Sequence, residues 1–175
     1  VILVIALAGL VFWPKMGVVG EKGTPSGSRR IEQVLVALTN LKQNQKTSPM
    51  MFSELEINAY FENVLIKKAK VDSMSVSLKK GLVIVRMVKV FTKIGNDKFK
   101  LPVALSYDAK CIPSGNMLAV RQASIGHVKL FGPLLKLAES AFAGALASEA
   151  QLACLKGVED LKVDDGKLSI IVGKK

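Results

Sequence analysis

At 175 residues the chain is long enough for one sizeable core and too short to expect two. Half the residues are apolar but only 6% are aromatic, so aliphatic side chains must build that core. The formal charge of +11, from 25 Lys and Arg against 14 Asp and Glu, points to an anionic partner; because all but four of those cations are Lys, the composition disfavours a nucleic-acid reader, which leans on Arg forks and stacking rings.

In chain order, Val1 to Trp13 carries no polar side chain. The run is shorter than the roughly 20 residues that span a bilayer, but the chain does not open on Met, and Trp13 and Lys15 sit where an interfacial aromatic and a snorkelling lysine belong. Residues 1–13 therefore read as a membrane anchor, with a cleaved signal segment as the alternative. The cations that follow leave its orientation open. Residues 14–28, rich in Gly and Pro, read as a flexible linker. A single α+β domain over 29–175 is expected to follow. Ile31, Val34, Leu35, Leu38 and Leu41 share one helical face and predict an amphipathic helix from Arg29.

Several local signals agree at Ser53. Ser53 and Glu56 have the spacing of a capping box, and Phe52 and Ile57 that of a hydrophobic staple. Ile57, Tyr60, Phe61, Val64 and Leu65 then fall within an arc of roughly 140°. This predicts a helix with one buried stripe. After Lys67 the period drops to two. Met74, Val76 and Leu78 alternate with Ser73, Ser75 and Ser77, which predicts a strand with one wet face. The run from Leu82 to Phe91 is apolar on both faces apart from Arg86 and Lys89, and such a strand needs cover on each side. Phe99 to Asp108 alternates again, with Pro102 expected at an edge or a bulge because it cannot donate to a ladder. Met117 to Phe131 reads as one strand bent at Gly126. Gly132-Pro133 opens a Leu- and Ala-rich helix, and Val158 to Val163 pairs with Lys167 to Val172 across Asp164-Asp165-Gly166 as a closing hairpin.

The fold expected from this order is α+β: a curved antiparallel β-sheet meander wrapped around a long amphipathic helix, with further N- and C-terminal helices and a C-terminal hairpin. A slot between that helix and the sheet would suit an acyl chain. Its candidate walls are Tyr60, Phe61, Val83, Val85, Met87, Phe91 and Leu137. The opposing expectation is a fully packed envelope scaffold that acts through protein contacts.

No catalytic or metal constellation is legible. His127 is the one histidine, Cys111 and Cys154 have no metal-type spacing and read best as two buried thiols, and Asp164 and Asp165 are explained as turn residues. Neither enzyme activity nor a cofactor is expected.

The helix opening Phe-Ser-Glu-Leu-Glu-Ile-Asn-Ala-Tyr-Phe, the strand meander, the Gly-Pro-Leu-Leu helix and the closing Val-Asp-Asp-Gly-Lys-Leu pair resemble those of small bacterial lipoproteins and membrane-anchored proteins related to the tubular lipid-binding superfamily. The likeness runs roughly from Phe52 to Val172 and lacks the lipidated cysteine of the lipoprotein members. It implies a long helix cradled in a curved sheet, an extracytoplasmic location in the bacterial envelope, and an apolar ligand such as a lipid.

Overall fold

The computed structural model describes residues 23–40, 45–69, 71–96, 99–115, 117–137, 140 and 157–173. Within them the period-two stretches become strands: β1 (Met50–Ser53), β2 (Ser73–Lys79), β3 (Leu82–Asn96), β4 (Phe99–Ser114), β5 (Met117–Ile125), β6 (Val128–Lys129), β7 (Val158–Asp164) and β8 (Lys167–Val172). All pair antiparallel, in two sheets ordered β2-β3-β4-β5-β6 and β1-β8-β7. The helices are α1 (Pro25–Thr39) and α2 (Glu54–Tyr60), which continues through a π-helical turn (Phe61–Leu65) into α3 (Ile66–Ala69). Residues 133–137 add one more helical turn.

The expectation of a sheet wrapped around a long amphipathic helix is therefore corrected. The protein is mostly β, with two antiparallel sheets and short helices. The reason lies in what covers the larger sheet. Its inner face, carrying Met74, Val76, Leu78, Val83 and Val85, shares one core cluster with Tyr60 and Leu65 from the helical segment and with Val158, Val163, Ile170 and Val172 from the β7–β8 hairpin. A hairpin of alternating aliphatics offers its own flat apolar face, so the sheet is covered jointly and has no need to curl around a rod.

The helix sits beside β2 rather than along the middle of the sheet, and its polar residues explain why. β2 is an edge strand, whose free N–H and C=O groups must be satisfied. Asn58 is buried on α2, donating from Nδ2 to the Val76 carbonyl at 2.9 Å and accepting the Val76 N–H on Oδ1 at 2.7 Å. One helical turn earlier, Glu54 Oε2 accepts the Leu78 N–H at 2.6 Å. The β7–β8 turn completes the seam. Gly166 donates to the Leu78 carbonyl at 3.0 Å while its own carbonyl accepts the Glu54 N–H at 2.9 Å, and Asp165 Oδ1 accepts the Lys80 N–H at 3.0 Å. Thus Asp165 and Gly166 do more than reverse the chain.

The capping box forms as the spacing requires. The Ser53 hydroxyl accepts the Glu56 N–H at 3.3 Å and Glu56 Oε2 accepts the Ser53 N–H at 2.8 Å. Partial burial acts to raise the Glu56 carboxyl; the Ser53 N–H and hydroxyl together with the Arg30 guanidinium outweigh it and hold the group below its ordinary value. Arg30 lies on α1, and two glycines, Gly23 just before α1 and Gly27 within it, let the chain pack closely on α2. Gly23 lies so close to the Ala59 backbone that a Cβ there would clash, and a Cβ on Gly27 would stand 3.1 Å from the Glu56 Cα. α1 opens at Pro25, with Gly27 and Ser28 already buried in its first turn, so helix begins inside the stretch read as linker. Ile31, Leu35 and Leu38 are buried as their spacing predicts.

Two strand expectations also change. Met117 to Phe131 is not one strand: Gly126, at φ 57°, makes a tight turn, and β6 folds back so that Val128 pairs with Ile125. His127 lies exposed in that turn. The serine face of β2 is not fully wet, since Ser75 is buried in register with Arg86, whose guanidinium forms a two-pronged ion pair with Asp108 at 2.6 and 3.0 Å. β1 pairs with β8 and was not signalled by periodicity.

Candidate functional site

Five of the seven proposed wall residues come together. Tyr60, Val83 and Val85 are only 3–4% exposed, and Phe61 and Met87 pack against the same cluster. They stand as mutual neighbours in a close-packed interior. Phe91 lies in β3, and its side chain falls outside the described residues. Leu137 is separate from the cluster, 70% exposed.

A cleft of about 390 Å³ lies elsewhere, at the sheet end where β4, β5 and β6 meet. Its volume is in the range of small-molecule sites. Strand register assembles its polar side. Lys110 of β4 faces Gln122 of β5, Arg121 sits at the bulge where the β4–β5 register shifts, and Lys129 of β6 faces Ser124. The Gly126 turn brings Lys129 back beside β5, and the Leu130 N–H extends the pairing by donating to the Ala123 carbonyl at 2.9 Å.

The apolar side follows from one backbone reversal. Gly132, at φ 53°, swings the chain into the turn at 133–137, with Pro133 at its start where a missing N–H costs nothing. Leu82, Leu130 and Leu135 line the cleft with Phe131. Phe131 is 72% exposed, and Leu134 and Leu137, which follow it in the chain, are 60% and 70% exposed. Single exposed leucines are ordinary, but three large apolar groups within seven residues form a patch.

The lining thus supplies three cations, one amide and a hydrocarbon wall, without a carboxylate, imidazole, hydroxyl or thiol. Such a set can hold an anion and an attached apolar group. Sequence reading pointed to lysines in general as a headgroup contact but not to these three residues. A faint signal was present: Arg121 and Lys129 bracket a turn glycine, and Phe131 precedes Gly-Pro, where a reversal leaves apolar groups outside.

Among the described residues no group of three or more His, Cys, Asp or Glu side chains could hold a metal, and no helix is long and apolar enough to cross a membrane. The apolar run at residues 1–13 and Cys154 lie outside the described residues; Cys111 is buried on β4. No family model matches the chain, nor does any curated protein or solved structure.

Proposed function

We propose that the protein is a non-catalytic, membrane-tethered domain of the bacterial envelope that binds an anionic lipid in the cleft formed by Lys110, Arg121, Lys129, Phe131 and Leu135. The observation that carries this reading is the side-by-side placement of three cations and an exposed apolar rim in one concavity. An anionic phospholipid has the complementary halves: a phosphate for the cations and the base of an acyl chain for the rim. The apolar segment at Val1 to Trp13 supports a tether, and the resemblance to lipid-binding envelope proteins supports the location and the ligand class. This reading moves the ligand from the helix–sheet interior, where Tyr60, Val83 and Val85 fill space, to the outside of the sheet.

Native mass spectrometry of the full chain released from mixed-lipid nanodiscs tests it. The expected result is retention of phosphatidylglycerol in preference to phosphatidylcholine, abolished by K110Q/R121Q/K129Q. Equal retention of both lipids, or of neither, would contradict the reading. A second reading, a scaffold acting through protein contacts, is favoured by the packed interior around Tyr60 and Val85. It predicts a stable protein complex that survives the triple substitution.

A further inference from the structure

The face of the larger sheet turned away from the shared core carries a polar row that runs into the cleft. Strand register places Ser75 of β2, Arg86 of β3, Asp108 of β4, Ser124 of β5 and Lys129 of β6 side by side. The next row on the same face holds Ile84, Lys110 and Gln122. Lys110, Gln122 and Lys129 line the cleft, and Asp108 stands just behind them. Two residues along β4 separate Asp108 from Lys110, roughly 7 Å at strand rise, and two strand spacings separate it from Lys129, about 10 Å. An acid therefore lies within electrostatic reach of two of the three cleft cations.

What that acid does is set by Arg86. Its guanidinium donates from Nε to Asp108 Oδ1 at 2.6 Å and from Nη2 to Oδ2 at 3.0 Å, so both carboxylate oxygens are engaged. The two side chains are only 20% and 16% exposed, and Ser75 and Ser124 on either side of them are buried. Taking two charges this far out of water offsets much of their attraction, so stability alone is a weak reason for the pair. Its effect on the cleft is a better one. A carboxylate gripped by a two-pronged guanidinium neither draws Lys110 aside nor offers a seat to an ammonium group.

We propose that the Arg86–Asp108 pair is the specificity determinant of the cleft. By keeping Asp108 occupied, it leaves a positive wall that takes an anionic phosphodiester headgroup and gives no counter-charge to the quaternary ammonium of a zwitterionic one. The inference rests on the lipid-binding reading and supplies the reason for its headgroup preference. Arg86 is a positioning residue, acting through Asp108.

The test is competitive. The full chain is released from nanodiscs of equal phosphatidylglycerol and phosphatidylcholine, and native mass spectrometry reads the ratio of the two retained lipids. Arg86→Gln releases the Asp108 carboxylate and should lower the phosphatidylglycerol ratio about fivefold, with phosphatidylcholine retention rising. Adding Asp108→Asn removes the released charge, so R86Q/D108N should return the ratio to within about twofold of the parent, and Asp108→Asn alone should keep it at or above the parent. A pair that only braces the sheet would show the same damage in R86Q and in the double variant, so the rescue separates the two roles. Should R86Q fail to fold, Arg86→Lys, which lacks the planar fork for both oxygens, must still lower the ratio about twofold. An unchanged ratio in R86Q, or a loss without rescue in the double variant, overturns this proposal while the lipid reading stands. A parent chain with no preference for phosphatidylglycerol overturns both.

Discussion

The seam at β2 and the cleft at β4–β6 treat polar groups in opposite ways. At the seam, Glu54 and Asn58 are buried, and each is bound to a specific backbone group of the edge strand. At the cleft, Lys110, Arg121 and Lys129 stand in the open with Phe131, which is as exposed as a surface polar residue. A buried polar group with its partners in place is architecture, because removing it orphans the partner. Cations and hydrocarbon left together at the surface contribute little to folding, and the proposed ligand would engage both.

The contrast breaks first, and with the largest effect, at Asn58. Asn58→Ala leaves the Val76 N–H and carbonyl without their side-chain partner and should cost about 3 kcal/mol in denaturant unfolding; a cost below about 0.5 kcal/mol would mean that the seam is ornamental. Next is the helix crossing. Gly23→Ala forces the segment leading into α1 away from the Ala59 backbone and should lower stability by about 2 kcal/mol, read as a shift in midpoint without a change in slope.

A smaller effect attaches to the capping box. Ser53→Ala should cost about 1 kcal/mol. Its carboxylate also predicts a pH dependence. Because Glu56 is held below its ordinary value when folded, it contributes stability that is fully present above the ordinary carboxylate range and is lost as pH falls through that range toward the lowered folded value. Glu56→Gln should therefore flatten that acid limb of the stability curve and leave the neutral-to-alkaline limb unchanged. Smallest of all is the expected stability change at the cleft, where K110Q/R121Q/K129Q should stay within about 0.5 kcal/mol of the parent while lipid retention is lost.

What could be read in the sequence was mainly what is decided within a few residues. Ser53 and Glu56 are three apart, Asp164 to Gly166 is a turn by composition, and Met74, Val76 and Leu78 alternate strictly, so each appears as expected. Among the described residues, Pro102 lies in the β4 stretch with a strand on one side only, which suits its missing N–H. What depended on distant partners was not legible. Asn58 looked like an ordinary helical position because its partner, Val76, is 18 residues away and is met through the backbone, which has no sequence signature. The long helix failed as a centrepiece because the β7–β8 hairpin took over the covering of the sheet. β1 is four residues long, too short for alternation to register. The cleft escaped notice since its cations come from three strands whose neighbours are set by the Gly126 turn and the β4–β5 bulge.

The most direct test of the division between core and cleft is a paired titration with short-chain phosphatidylglycerol, following lipid affinity and thermal midpoint together for the parent, Val85→Ala and K110Q/R121Q/K129Q. Val85→Ala should lower the midpoint and keep the affinity within threefold, whereas the triple variant should keep the midpoint and lose at least tenfold in affinity. The opposite pattern, with affinity lost at Val85 and retained at the cleft, would return the ligand to the interior and contradict that division.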